Sequence, residues 1–408
     1  MKKTLLLSAV ASTIAFAGGD IAPVEPVVPA AAAPAACDFW GSIGARYDAV
    51  KDSTSRNKFG KGDDRFNTSV VLGVEKDLGY GFGFGAELAG SYITKAGLKS
   101  IYDKKNKRYL DKESAEISQL YLTYKYGNTA VKIGRQALPK SLSPWAWSDR
   151  TVGRLDRAFE GLVIVNTDLA DTTLVGAWIP RFNDNTKSKR VNGVNNKGLY
   201  MLTAQYKGIE NTTLTGSVYY VPKAGTSKAI TSVWGSAETK VDNINLGLQG
   251  AYAKTKGSKA TTGLAAYVGT NYEGLDAKLT LAYLKNGATT LALGGTSAFW
   301  GNTGYSRING KGDGSVFGVG AKEKIVKLDL GYNIDGYGKV YGGVAYDKIS
   351  SSPASVNADK AIAARIGYQF NVAGVDAKVE YRYDKVSYKG NKADAKKQTI
   401  RLEGIYKF

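Results

Sequence analysis

The chain runs to 408 residues, with 55 lysines and arginines against 36 acids, a formal charge of +19, one cysteine and no histidine. Without histidine, Ser-His-Asp and Cys-His nucleophilic arrangements cannot be assembled, and a zinc site would be left to carboxylates and one thiolate. A single cysteine allows no internal disulfide. No zinc, RNA-binding or helix-turn-helix signature accompanies the basic charge, and no carboxylate pair stands out from its charged surroundings, so neither a nucleic-acid partner, nor an enzyme, nor a cofactor is expected.

Lys2 and Lys3 precede an apolar run from Leu5 to Phe16 that closes on Ala15-Phe16-Ala17, the pattern of a secretory signal peptide cut after Ala17. The run is too short to cross a bilayer as a helix, so residues 1–17 read as a signal rather than an anchor. Its removal takes away two lysines and leaves the remainder at +17. Residues 18–36, "GGDIAPVEPVVPAAAAPAA", are too rich in Pro and Ala to build a core and form a flexible lead-in. Ala35-Ala36-Cys37 loosely imitates a lipid-attachment box, but lies well past the apolar run. One folded unit is expected over residues 37–408.

Within that unit the hydrophobic period is two. In "VDAKVEYRYD", Val375, Ala377, Val379, Tyr381 and Tyr383 share one face, while Asp376, Lys378, Glu380, Arg382 and Asp384 share the other. In a soluble sandwich the apolar face meets another sheet; in a membrane barrel it meets lipid, and the polar face lines the lumen. No later segment is apolar enough for a transmembrane helix, mean hydropathy is −0.24, and 49 glycines and 26 tyrosines favour the barrel. The alternation recurs about eighteen times in segments of roughly ten residues, the length an inclined strand needs to cross a bilayer.

The joints alternate in length. Short turns fall at "DLGYG", "YGNT", "TDLADT", "KGIENT", "VDNI", "EGLD", "DGYG" and "VAGVD", and the connections between them are mostly longer and polar. The fold class is therefore all-β: a transmembrane antiparallel barrel of about 18 strands, with 16 as the alternative count, both ends on the periplasmic side and long loops outside. The glycine-rich stretch "GGTSAFWGNTGYSRINGKGDGSVFG" hides its boundaries. "GYGFGFGAE" is strand alternation rather than a phosphate loop, and "GKGDD" and "GKGDG" lack the ligand number of a dedicated calcium site.

The final strand, "TIRLEGIYKF", places Ile400, Leu402, Gly404, Tyr406 and Phe408 on one face and ends on the aromatic. This resembles the signal by which bacterial outer-membrane proteins engage the barrel assembly machinery, carried here by Tyr406 and Phe408. The stretch from Ile133 to Asn183 narrows the resemblance. Gly134-Arg135-Gln136 at a strand end, an inserted segment, and Phe159-Glu160-Gly161 opening the next strand are similar to the Opr-type porins, including OprD-like channels and the major porins of the epsilon class of proteobacteria. "GGDIAPVEPV" resembles that group's mature N-termini. Pro139 and Lys140 replace the usual aspartate and threonine after "GRQ", a departure that bears on solute specificity.

The resemblance implies that a loop over about residues 138–157 folds inward as a constriction, with Arg135, Asp149, Arg150, Arg154, Asp156, Arg157 and Glu160 as its charged candidates. If Ser148 to Arg157 is helical, Arg150, Arg154 and Arg157 share one stripe and Asp149 and Asp156 a second, and the two would set a transverse field across a narrow lumen. The alternative is a solvated loop whose charges pair among themselves. Trp145 and Trp147 pin the loop to the wall or sit at the lipid interface. Arg135 shares parity with Val131 and Ile133 and faces lipid unless a bulge near Gly134 turns it.

By parity the inward wall carries Arg65, Lys132, Lys278, Lys327, Arg365, Lys378, Arg382 and Arg401, with Glu75, Asp276, Asp329, Glu380, Asp384 and Glu403. The balance is mildly basic and suggests a weak anion preference. Surface lysines in residues 95–113 are candidates for pairing with lipopolysaccharide phosphates. The expected function is an outer-membrane porin for small hydrophilic solutes, implied by resemblance to assemble as a homotrimer, with the apolar "LVIVNT" as a candidate contact surface. The alternatives are a channel selective for carboxylate or amino-acid solutes, or a barrel serving as adhesin or structural protein.

Overall fold

The computed structural model describes residues 37–52, 59, 64–95, 102–103, 108–109, 112–148, 152, 158–183, 188–191, 197–286, 299–300, 322–350, 358–390 and 393–408. The expected signal peptide with Ala17 and the lead-in lie outside the described residues, as does most of the lysine-rich stretch 95–113.

Eighteen antiparallel strands form the wall: β1 (Asp38–Asp52), β2 (Arg65–Gly79), β3 (Phe82–Lys95), β4 (Lys112–Tyr126), β5 (Thr129–Gln136), β6 (Phe159–Asn166), β7 (Thr172–Asn183), β8 (Leu199–Ile209), β9 (Thr212–Val221), β10 (Ile230–Val241), β11 (Ile244–Thr255), β12 (Thr261–Tyr272), β13 (Leu275–Lys285), β14 (Lys322–Ile334), β15 (Gly338–Ser350), β16 (Ala358–Val372), β17 (Val375–Tyr388) and β18 (Ala395–Lys407). Each pairs with its neighbours in sequence, and β1 also pairs with β18 from Ser42↔Lys407 to Asp52↔Lys397, which closes the barrel and leaves no edge. Gly41 and Phe408 exchange both backbone hydrogen bonds, at 2.8 and 3.0 Å, at the foot of this seam.

The eight tight turns fall where the sequence places them. Turn chemistry explains why they hold: Glu273 and Gly274, for instance, both take positive φ, 45° and 81°, the twist that matches a two-residue hairpin. Alternation then assigns the faces. On β13, Leu275, Leu279, Leu281 and Tyr283 are exposed to the outside, whereas Thr280 and Leu284 are buried inside. Tyr80, Phe82, Tyr124 and Tyr126 stand outward at the short-turn end, an interfacial aromatic girdle.

Two strands are unusually short, β5 and β6 with eight residues each. The segment between them turns into the barrel, and the largest apolar cluster lies there rather than between sheets. Leu138, Leu142, Trp145 and Ala146 pack on Phe159, Val163, Val175, Ile179, Leu199, Met201, Tyr219, Val221, Trp234 and Ala253, the inward residues of β6 to β11. This accounts for the almost continuous apolar run "LVIVNT": Val163 meets the loop while Ile164 is exposed on the outside.

Candidate functional site

The lumen is built from two unlike walls. Over β6 to β11 an apolar cluster of inward side chains is flanked by uncharged polar ones such as Thr203, Ser217 and Gln249, and the loop after β5 is fastened to the cluster. Its described part is closed by turns: Ser148 N–H donates to Leu138 O at 3.0 Å, Ser143 N–H to Pro139 O at 2.9 Å, and Leu138 N–H to Ser148 Oγ at 3.2 Å. Trp145, 4% exposed, stacks obliquely on Tyr219 with centroids 6.4 Å apart, and its N–H donates to the Tyr219 hydroxyl at 3.3 Å. Trp147 is buried beneath Lys140, whose Nζ lies 5.2 Å from the ring. Of the two places expected for these tryptophans, both take the inner wall.

Further along the segment, Val152 meets a different part of the wall. Val152 is 3% exposed and lies against Gly44 of β1, where a β-carbon would stand 2.8 Å from Val152 Cγ2. Gly44 shares inward parity with Arg46 and Asp48, so the tip sits beside the charged wall. Asp149, Arg150, Arg154, Asp156 and Arg157, the helical stripes expected of the loop, lie outside the described residues.

A second connection also reaches inside, one whose glycine-rich sequence concealed it. Trp300 N–H donates to Gln249 Oε1 at 2.8 Å, its ring meets Tyr267 edge-on at 4.7 Å, and Phe299 packs with Ala265 and Leu284.

The opposite wall, β13 to β18 with β1, is an ion-pair network. Arg401 donates to both carboxylate oxygens of Asp48, at 2.6 and 3.2 Å, and Arg46 approaches Asp48 at 3.3 Å and Glu403 at 4.0 Å. Lys378 pairs with Glu403 at 2.6 Å, Arg382 with Glu380, Lys339 with Asp276, and Arg365 and Lys327 with Asp329 at 3.1 and 3.0 Å. Seven cations and five acids make these pairs, and Glu323, Asp347 and Asp384 are buried on the same wall. Lys278, Arg365, Lys378, Glu380, Arg382 and Arg401 thus share a face, as parity requires. Arg65 is exposed at the outer end of β2, opposite Asp48 in the strand register. Arg46 and Asp48, absent from the sequence-based wall set, became visible only once β1 was paired to β18.

Three tyrosines repeat one arrangement in this lumen. Tyr121, Tyr267 and Tyr341 lie on Gly85, Gly247 and Gly367 of the adjacent strand, where any β-carbon would overlap the ring. Their hydroxyls donate to Glu75, Glu238 and Glu380 at 2.5, 2.8 and 2.9 Å. A cation covers each ring: Lys132 and Lys278 at 3.4 Å and Arg365 at 5.6 Å from the centroid. The Tyr121 and Tyr267 units each span four strands and the Tyr341 unit three, and each holds a basic group at a fixed place in the wall.

Arg135 and Glu160 are placed elsewhere. Arg135 is opposite Leu120 and Glu160 in the register, and Leu120 and Ile133 are exposed on the outer surface. Its guanidinium donates to Glu160 at 2.6 and 3.1 Å and to Ile117 O at 2.8 Å. Gly134 takes φ +129°, but the β4–β5 register stays unbroken, so parity is kept and the pair faces outward instead of joining the constriction.

No protein-family model and no curated protein sequence matches the chain. Solved structures do. OpdO of Pseudomonas aeruginosa is similar with a TM-score of 0.66 at 15% identity, over 91% of this chain and 97% of that one. OpdK of Pseudomonas aeruginosa, solved with vanillate, gives 0.66 at 14% over 91% and 98%, and OccAB1 of Acinetobacter baumannii 0.65 at 14% over 91% and 97%. The chain thus has the fold of bacterial outer-membrane porins, a closed 18-stranded barrel with a lipid-facing apolar band, the architecture of the outer membrane.

Proposed function

We propose that the chain forms a water-filled channel for passive diffusion of small hydrophilic solutes, with a mild preference for anions. The observation that carries this reading is the placement of the segment after β5 inside the barrel, with Trp145 packed on the β6–β11 wall and Val152 on Gly44 of β1, so that the route for solutes lies along the ion-paired wall. Polar solutes exchange water for that wall's donors and acceptors, and Lys278 and Arg365, held over tyrosine rings, are the groups that would favour negative charge. Such a channel performs no covalent chemistry. Tyr406 and Phe408 would serve as the signal for barrel assembly. Swelling of proteoliposomes tests the proposal: small sugars and small carboxylates should both enter, carboxylates faster than amines of equal size, and impermeable vesicles would favour the adhesin or structural reading.

A specific observation favours a second, narrower reading. A recess of about 570 Å³ opens in the charged wall among Lys278, Arg365, Arg382, Asp329 and the Tyr267 and Tyr341 units. A channel selective for small carboxylates would use it as a station, and OpdK, of similar fold, was solved with vanillate. Saturable block of the current by an aromatic carboxylate distinguishes this reading from general diffusion.

A further inference from the structure

A second recess, of about 490 Å³, opens in the other wall, between the inserted segment and the tight-turn end of β7 to β10. Its floor is a row at one height. Thr173, Gln205, Thr215, Ser236 and Gln249 are cross-strand partners from β7 to β11, all of inward parity, and each can donate or accept a hydrogen bond without carrying charge. The first four line the recess. Gln205 Nε2 donates to Thr215 Oγ1 at 3.2 Å, which sets the amide in place. Gln249 takes the Trp300 N–H at 2.8 Å and so holds the second inward connection at the end of the row.

Two indoles add aromatic surface. Trp234 shares the inward face of β10 with Ser236, and Trp300 is only half-buried although Tyr267 meets it edge-on at 4.7 Å. The charges at the rim are engaged or turned away: Glu238 accepts from the Tyr267 hydroxyl at 2.8 Å, Lys140 lies over Trp147, and Lys207 is exposed. Aromatic surface beside uncharged donors and acceptors, in a hollow within the ordinary size range of ligand pockets, fits a solute with apolar C–H faces and a rim of hydroxyls. A carboxylate is better served by the recess among Lys278, Arg365 and Arg382, and an amine would meet Lys140 and Lys207 here.

We propose that this recess is a subsite for neutral sugars, in which a sugar ring lies against an indole while its hydroxyls bond to the Gln205–Thr215–Ser236 row. The two recesses share no lining residue, so neutral hydroxylated solutes and carboxylates would be retained at different places in one lumen. The proposal rests on the channel reading, because a solute reaches the row only through the lumen.

The test is a planar bilayer recording of the full refolded chain at constant salt, with glucose and then maltose titrated into the bath and the folding of each variant read by heat-modifiable gel migration. Each sugar should reduce the current saturably. A polyethylene glycol of the same hydrodynamic radius, which has no ring and few hydroxyls, should reduce it only in proportion to bath conductivity. Trp300→Leu should raise the half-blocking sugar concentration about tenfold through loss of the ring's contact. Ser236→Ala, which removes a single hydroxyl, should raise it about threefold and serves where Trp300→Leu does not fold. A current that falls linearly with sugar, a block matched by the glycol polymer, or a half-blocking concentration indifferent to both substitutions would overturn the site and leave the channel reading standing. A folded chain that conducts no current would overturn both.

Discussion

Val152 rests on Gly44, a contact between the segment after β5 and the strand at which the barrel closes. A side chain at residue 44 cannot coexist with it: even a single β-carbon would be 2.8 Å from Val152 Cγ2. Gly44→Val should therefore push the tip off the charged wall while leaving the strand pairing with Ser69 and Ile405 in place. Single-channel recordings should show a larger, noisier open current; an unchanged trace would mean that the tip does not bound the route.

The other end of the loop is fastened by apolar packing, so its loss should appear in stability as well as in current. Trp145→Ala removes a buried indole from the largest cluster in the protein and should destabilise the barrel by about 3–5 kcal/mol. Urea titration of the folded protein in detergent measures this. Truncating Tyr219 to Leu in the same background should add little, because the two side chains contact each other and share one packing site.

On the charged wall, Arg401→Gln leaves Asp48 with Arg46 alone and removes one positive charge beside the loop tip. Anion preference in a salt gradient should fall, and Asp48→Asn should move the reversal potential the other way. Opposite shifts of the two variants identify the wall as the source of selectivity, whereas parallel shifts would point to a general loosening of the barrel.

The tyrosine units predict a penalty for a very small change. Gly247→Ala places a methyl group where the Tyr267 ring lies and should cost about 1–3 kcal/mol by overpacking. It should also release Lys278 from the ring, so that the reversal potential in a salt gradient shifts. Gly250→Ala on the same strand meets no atom within 4 Å and serves as the control.

Much of this was legible in the sequence because a membrane barrel writes its register into its chemistry. Val375 to Asp384 alternates so strictly that face assignment needs no partner strand, and the eight turns stand out by their Gly, Asn and Asp. Arg135 was legible in the same way: its parity with Val131 and Ile133 pointed outward, and the backbone at Gly134 does not alter that. What the sequence could not show depends on cross-strand neighbours. Tyr267 over Gly247 requires knowing which residues are opposite, and Arg46 and Asp48 join the wall only through the closure of β1 on β18. Trp300 was hidden because a stretch rich in glycine has no period. The "LVIVNT" run was ambiguous for a further reason: both of its faces are apolar, one for the loop and one for the outside.

The most direct test is a planar bilayer recording in a salt gradient. A channel bounded by the loop and the ion-paired wall should give stepwise, ohmic openings with a reversal potential on the anion side, and Arg401→Gln should bring that potential toward zero. No conductance, or a clear cation preference in the unsubstituted protein, would contradict it.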